Sequence, residues 1–204
     1  MSQGVRNTYS NHVQRSSSIR TSIETTHKTM TAVQVNEAEF PRDIEKVIAL
    51  FTAYTKSLEI DLSFQDFDDE LSSLPGKYSA TSKGVIFLAY DADIFINSFL
   101  RQAAGEKQSQ VLGCAALRAF NAPNSCELKR LYTIPKARGR GTGRRLLEAV
   151  IQRAKELGYK EMLLDTLSSM TAARKMYADY GFEECEKYYA TTLEGTVFMR
   201  LKLL

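Results

Sequence analysis

Histidine is almost absent from this 204-residue sequence, and cysteine is scarce. The two histidines, His12 and His27, both lie within the first thirty residues, so the rest of the chain has none to activate a serine or cysteine nucleophile. The three cysteines, Cys114, Cys126 and Cys185, are far apart and lack the CxxC spacing of a zinc site. We therefore expect no covalent intermediate, no metal, and buried cysteines in a reducing compartment.

The sequence also lacks long apolar runs and an excess of charge in its body. No apolar stretch approaches the roughly 20 residues that cross a bilayer, which predicts a soluble, globular chain. Four of the 27 basic residues and one of the 24 acidic residues lie in the first thirty positions, so the remainder carries 23 of each sign. A neutral body argues against a general nucleic-acid binder.

The first thirty residues contain six Ser and five Thr and show no periodic apolar face. This composition predicts a disordered N-terminal tail over residues 1–30. The tail has arginines but no acidic residue before Glu24, which is also typical of an organelle transit peptide. A cytoplasmic protein with a plain tail and import into mitochondria both remain open. One folded domain is expected over residues 31–204.

From residue 31 onward, the hydrophobic pattern predicts strands and helices in a regular order. A helix is expected to open at Pro41. The other predicted helices cover 64–74, 142–157 and 170–180, and a long polar loop covers 91–110. Strands are predicted at 31–35, 85–90, 111–117, 126–133, 161–166, 182–189 and 196–203. This order indicates an α/β fold with a mixed sheet and helices on both faces.

Glycines are concentrated in the segment Arg138-Gly139-Arg140-Gly141-Thr142-Gly143, between a predicted strand and a predicted helix. Without Cβ atoms, the backbone N–H groups can turn toward one anion, and the helix N-terminus adds partial positive charge. A P-loop would end in Gly-Lys-Ser/Thr, and a dinucleotide-binding loop would have glycine where Arg144 stands. Neither pattern fits, but the segment still predicts a phosphate-binding loop.

Positive charge surrounds this loop. Between positions 129 and 145 there is no acidic residue and there are seven basic ones: Lys129, Arg130, Lys136, Arg138, Arg140, Arg144 and Arg145. Several negative charges could be met there. The segment could instead be a solvated basic helix start, or could bind an RNA backbone. The neutral body and the lack of exposed aromatic residues near the run disfavour RNA.

The pattern Arg138-x-x-Gly141-x-Gly143 resembles the Gln/Arg-x-x-Gly-x-Gly/Ala signature of the GNAT superfamily of N-acetyltransferases. Residues 126–133 are similar to the strand before that signature, and Ala173-Arg-Lys-Met-Tyr-Ala-Asp-Tyr-Gly-Phe182 is similar to the family's Ala-x-x-Leu-Tyr-x-x-x-Gly-Phe element. The resemblance implies a GNAT-like α/β fold. Its central twisted sheet would be mostly antiparallel, with about seven strands and helices on both faces.

By this resemblance, the protein is expected to transfer an acetyl group from acetyl-CoA, as co-substrate, to a primary amine in a ternary complex. The glycine loop would bind the pyrophosphate of the cofactor. The backbone of the preceding strand would bond the acetyl carbonyl and the pantetheine. The residues implied in cofactor binding are Leu131, Tyr132, Thr133, Arg138, Gly139, Arg140, Gly141, Thr142, Gly143 and Arg144.

Two side chains are implied as catalytic. Glu127 is similar to the general base that takes the amine proton in the histone-acetylating branch of the superfamily, directly or through water. Tyr177 matches the tyrosine that protonates the leaving thiolate. Ordinary roles stay open, because Glu127 could form a salt bridge with Lys129 and Tyr177 could be a core residue.

Other residues near the predicted site have no assigned role. Asp165 could face the substrate or accept hydrogen bonds from a turn. Tyr188 and Tyr189 fall near the family's acceptor site but are also ordinary strand residues. Met170 stands where many members have asparagine, so that polar contact is absent or is supplied by a neighbouring serine.

The acceptor is not identified by the sequence, and small-molecule and peptide amines both remain open. A second interpretation is a non-catalytic module of the same fold that binds an acyl-CoA and reports it to a partner. Glu127 and Tyr177 disfavour that interpretation, since a pure sensor needs neither. No nucleic-acid or membrane partner is expected, and the protein is expected to be a monomer or a homodimer.

Overall fold

The computed structural model describes residue 1 and residues 33–58, 67–92, 110–120 and 124–204. Nearly all of the predicted tail, and residues 93–109 of the loop predicted over 91–110, lie outside these residues. The helices are α1 (Ile44–Ser57), α2 (Phe67–Ser72), α3 (Thr142–Glu156) and α4 (Thr171–Asp179). The strands are β1 (Val33–Glu37), β2 (Val85–Asp91), β3 (Val111–Ala119), β4 (Ser125–Thr133), β5 (Glu161–Leu167), β6 (Glu183–Glu184) and β7 (Thr196–Lys202).

Most predicted elements are present, with ends shifted by a few residues, but the long strand predicted over 182–189 is wrong. Only the two residues of β6 pair with β7 there. After Cys185, whose N–H donates to the Phe198 carbonyl, the chain leaves the sheet edge. Tyr188 and Tyr189 then pack their rings against Phe198, at 4.9 and 5.1 Å between centroids, so apolar packing replaces strand pairing.

The strands of the described residues form one sheet in the order β1-β2-β3-β4-β5-β7-β6. Every neighbouring pair is antiparallel except β4 and β5, which run parallel. The β4–β5 pairing is short, since Ser125–Glu127 lie opposite Glu161–Leu163 and no further pairs follow in the described strands. The prediction of a mixed, mostly antiparallel sheet of about seven strands is confirmed.

A bulge interrupts β4 immediately after this short pairing. Ala116 of β3 lies opposite Lys129, but Cys114 lies opposite Tyr132, so β4 has one extra residue. Arg130 has a φ of 56°, in the left-handed region that a bulge of this kind uses. A bulge bends its strand, and here it directs the end of β4 away from β5.

Helices cover both faces of the sheet, as predicted. On one face, α3 and α4 contribute Leu146, Leu147, Val150 and Tyr177 to a buried cluster with the sheet. On the other face, α1 buries Val47, Leu50 and Phe51, which follow helical i, i+3, i+4 spacing, against strands β2 to β4. We call these the α3 face and the α1 face. Among the described helices, none has the length and apolarity needed to cross a membrane.

Candidate active site

A cleft lies where β4 and β5 separate. It encloses about 70 Å³ and is lined by residues 128–131 of β4 and 164–167 of β5. Tyr54 of α1 and Tyr177 of α4 also line it, so both helical layers contribute a tyrosine. The cleft is therefore bounded by two strand edges that are unpaired with each other.

The β4 edge of the cleft presents backbone hydrogen-bonding groups. The N–H of Ile134 donates to the Leu112 carbonyl of β3, which makes those two residues a hydrogen-bonded pair. Because N–H groups alternate in direction along a strand, those of Thr133 and, two residues earlier, Leu131 point to the opposite edge, toward the cleft. Both residues belong to the set predicted to contact the cofactor.

The glycine loop lies between β4 and α3 and has the backbone that its composition predicts. Gly139 and Gly141 have φ values of 75° and 77°, which side chains rarely adopt. A Cβ on either residue would meet no atom within 4 Å, so it is the backbone conformation that requires glycine there. The first hydrogen bond of α3 runs from the Arg145 N–H to the Gly141 carbonyl, which leaves the N–H groups of 142–144 without intrahelical acceptors.

Acidic residues neutralise part of the basic run. Arg140 pairs with Asp91 of β2 at 2.6 Å, and Arg144 pairs with Asp179 of α4 at 3.0 Å. The Arg138 side chain is exposed and forms no ion pair within the described part of the chain. The loop therefore retains positive charge, but less than the sequence alone indicates.

Three predicted cofactor residues, Tyr132, Thr142 and Gly143, do not line the cleft. The Thr142 hydroxyl is buried and donates to the Ala137 carbonyl at 3.2 Å, which closes the turn before α3. The Tyr132 ring packs on Tyr54 at 6.1 Å, on the α1 face. At Gly143, a Cβ would lie 3.6 Å from the Met176 sulfur, in ordinary contact.

Glu127 lies on the α1 face in a buried ion pair. Its side chain is 0% exposed, and its Oε2 accepts from Nε and Nη2 of Arg118 at 2.7 and 2.5 Å. The Tyr188 hydroxyl donates to Oε1 at 3.0 Å, and Lys129 Nζ lies 3.7 Å from the same atom. Burial and the negative charge of Glu127 raise the pKa of Tyr188, which keeps that hydroxyl a donor. The salt bridge between Glu127 and Lys129 that the sequence allowed is present, but Arg118 is the closer partner of Glu127.

Lys129 and Asp165 form an ion pair across the cleft. Lys129 Nζ on β4 lies 2.7 Å from Asp165 Oδ1 on β5. The side chains are 19% and 22% exposed, and both residues line the cleft. A side-chain contact thus connects the two strands at a level where their backbones no longer pair.

Tyr177 lies at the α4 side of the cleft, and its side chain is buried. Burial, with smaller effects from Tyr54 and Asp165, raises the pKa of its hydroxyl. Its ring packs against Phe182 at 5.7 Å, so Tyr177 belongs to the core as well as to the cleft. The hydroxyl therefore stays protonated at neutral pH and could donate to a group in the cleft.

The family model described as the acetyltransferase (GNAT) family matches residues 64–182. This chain belongs to the GNAT family. It is 32% identical over 171 residues to an uncharacterized N-acetyltransferase of Schizosaccharomyces pombe, a match that covers 84% of this chain and 95% of the relative. The family membership and the fold predicted from the resemblance are confirmed.

Solved structures show the same fold. A GNAT-family acetyltransferase from Staphylococcus aureus has a TM-score of 0.64 at 20% identity, covering 85% of this chain and 100% of that one. The yncA protein of Salmonella typhimurium, solved with its cofactor acetyl-CoA, has a TM-score of 0.59 at 18% identity, covering 84% and 94%. At these identities the similarity establishes the architecture.

Some residues of this GNAT site had no strong signal in the sequence. Arg118 binds Glu127 because it lies opposite it in the β3–β4 register. Arg130, which appeared only as part of the basic run, is buried and pairs with Glu70 of α2 at 2.9 Å. Met170, where many members have asparagine, accepts a weak contact from the Thr166 hydroxyl at 3.5 Å.

Proposed function

We propose that this GNAT protein is an N-acetyltransferase that transfers the acetyl group of acetyl-CoA directly to a primary amine while both substrates are bound. One observation carries the proposal: β4, whose residues 128–131 line the cleft, leads into the glycine loop at the start of α3, where a Cβ on Gly143 would lie 3.8 Å from the Thr133 side chain. A thioester in the cleft and a diphosphate at the loop would therefore contact one continuous stretch of chain, residues 131–144.

The residues present fit acetyl-CoA as a co-substrate. Gly139 and Gly141 have positive φ values and lack Cβ atoms, so a phosphate can approach the loop backbone at these positions. The N–H groups of residues 142–144 have no intrahelical acceptors. The exposed Arg138 supplies charge for the phosphates, and the guanidinium groups of Arg140 and Arg144, which are paired with Asp91 and Asp179, add N–H donors nearby. We assign the acetyl carbonyl and the pantetheine amide to the cleft-facing backbone of Leu131 and Thr133.

The chemistry needs a neutral amine, a polarised carbonyl and a stable leaving group. A free alkyl amine has a pKa of about 10, so a carboxylate helps to remove its proton. Glu127, the base predicted from the resemblance, and Asp165 both lie where the strands separate. A cleft-facing N–H would stabilise the charge that develops on the carbonyl oxygen. Tyr177 would protonate the departing thiolate.

A binding measurement and a transfer measurement test this function together. Titration calorimetry with coenzyme A should give a one-site isotherm, and incubation with acetyl-CoA and a panel of amines should give acetylated amine with release of free thiol. The whole 204-residue chain is used in both measurements. Tight coenzyme A binding without transfer to any amine would favour the sensor interpretation. Stabilisation by RNA instead of coenzyme A in a thermal-shift assay would refute both.

A further inference from the structure

The carboxylates of Glu127 and Asp165 lie near the end of the cleft, and they differ in how accessible they are to a group bound in the cleft. Both Glu127 oxygens already accept hydrogen bonds, two from Arg118 and one from Tyr188, and the side chain is fully buried. Glu127 does not line the cleft. An amine that approached it would have to displace the Tyr188 hydroxyl and enter a closed ion pair.

Asp165 is placed differently. Its side chain lines the cleft, is 22% exposed, and accepts hydrogen bonds from Lys129 at Oδ1 and from the Tyr189 hydroxyl. Its backbone is held opposite Phe198 in the continuous β5–β7 ladder, so the carboxylate stands on a fixed strand. A general base must reach the proton within hydrogen-bond distance or through one water. Asp165 meets that condition for an amine in the cleft.

Lys129 fixes Asp165 from the opposite strand. Its ammonium lies between the two carboxylates, 2.7 Å from Asp165 and 3.7 Å from Glu127. Glu127 is in turn held by Arg118. The buried pair of Arg118 and Glu127 therefore anchors Lys129, and Lys129 orients the half-buried carboxylate of Asp165.

We infer that Asp165 is the catalytic base that takes the amine proton, and that Lys129 and Glu127 are positioning residues. This inference rests on the proposed acetyl transfer. An amine that binds as ammonium first gives one proton to an Asp165 oxygen, which passes it to water in the cleft. The neutral nitrogen then forms a bond to the acetyl carbon, the carbon–sulfur bond breaks, and a second proton moves from nitrogen to Asp165. The sulfur leaves as thiolate and takes a proton from Tyr177 or solvent, while Asp165 releases its proton to water and Tyr177 regains one from water.

Other titratable groups face Asp165, and their ionisation would also affect the pH dependence of turnover. Lys129 reaches it from β4, Tyr54 from α1, and Tyr177 from α4. Tyr188 and Tyr189 reach it from the segment before β7. Burial, and less strongly Asp165, raises the pKa of Tyr54 to about 12, and the pKa values of the other three tyrosines are raised further. These tyrosines remain neutral where an amine substrate titrates.

The test compares Asp165→Asn with Glu161→Gln, using the fastest amine of the panel. Glu161 lies on the same strand and face, but it is paired with Arg200 and does not line the cleft. We expect Asp165→Asn to lower kcat by about 100-fold or more with little change in the KM for acetyl-CoA. Glu161→Gln should keep the parental kcat. Retained coenzyme A affinity shows that each variant is folded.

The pH profile separates a chemical role from a structural one. Without the carboxylate, the turnover of Asp165→Asn should keep increasing with pH up to the pKa of the amine, because only amine that is already neutral in solution can react. Asp165→Glu should recover part of the lost rate. Parental kcat in Asp165→Asn, or a profile parallel to the parent's, would overturn the inference while leaving the proposed function intact. A parent protein that does not bind coenzyme A would refute the proposed function itself.

Discussion

Arg130 and Glu70 form a buried two-point ion pair, with Nε–Oε1 at 2.9 Å and Nη2–Oε2 at 3.0 Å. Arg130 is the positive-φ residue of the β4 bulge, and Glu70 lies on α2. The rings of Phe51, Tyr54 and Phe67 lie within 6 Å of the guanidinium. The bulge that opens the cleft is thus tied directly to the helices of the α1 face.

Glu70→Gln should strongly destabilise the protein. Removing one partner of a buried ion pair leaves the other charge uncompensated and typically costs about 3–5 kcal/mol. Urea denaturation followed by circular dichroism measures the change in the free energy of unfolding. Glu39→Gln is the control, because its pair with Arg42 is exposed and should contribute about 0–1 kcal/mol. Equal effects of the two substitutions would contradict the prediction.

Ionisation of Glu70 should also make the stability of the protein depend on pH. Burial alone would raise the pKa of Glu70, but hydrogen bonds and charge from Arg130 and Lys77 outweigh it and lower the pKa to about 2. A depressed pKa in the folded state gives stability that is present above the unfolded value of 4.5 and is lost as pH falls toward 2. The free energy of unfolding of the parent should therefore decrease across that window.

Glu70→Gln should flatten the pH dependence without abolishing it. Asp43 keeps a contribution of the same sign, since hydrogen bonds from Arg42 and Lys46 overcome burial and hold its pKa at about 2. Denaturation curves at several pH values between 6 and 2 give the two slopes. Identical slopes in the parent and in Glu70→Gln would show that Glu70 is not ionised with its partners in the folded protein.

Gly141→Ala should weaken coenzyme A binding, with strained backbone as the cause. Its φ of 77° costs a residue with a Cβ roughly 1–2 kcal/mol, and relaxing that strain would turn the N–H groups of the loop. Gly158→Ala is a matched control, because Gly158 has a φ of 81° and open space around it but follows the other end of α3. Both variants should lose similar stability by thermal denaturation. Only Gly141→Ala should lose affinity by calorimetry, and an equal loss in both would refute the loop assignment.

Tyr177→Phe should lower turnover by less than the roughly 100-fold expected for general acid–base residues. A thiol has a pKa near 8.5, so its thiolate already leaves readily, and the buried hydroxyl adds only modest help. Because burial raises the pKa of Tyr177, the parent should show no loss of this acid up to pH 10. Steady-state kinetics with saturating acetyl-CoA measures the effect. A loss larger than that of Asp165→Asn would mean that thiolate release limits the reaction.

The sequence predicted features that depend on neighbouring residues, and it missed those that depend on register. The glycine loop and the helix from Thr142 to Glu156 follow from local composition and periodicity. Whether Arg118 or Lys129 lies closest to Glu127 depends on the alignment of β3 with β4, and the separation of β4 from β5 depends on a one-residue bulge farther along β4. No local signal marks that bulge, because its positive-φ residue is Arg130 instead of glycine.

Among the described residues, three backbone pairs, Ser125–Glu127 with Glu161–Leu163, join a block of four strands to a block of three. Within that seam, the side chain of Cys126 is completely buried under the α3 face, and its thiol donates to the Glu161 carbonyl. A bulkier side chain at Cys126 would push both blocks at once. Backbone pairing between the two halves of the described sheet is thus confined to one end of β4, and packing around Cys126 there helps to set how far the two strands spread at the other end.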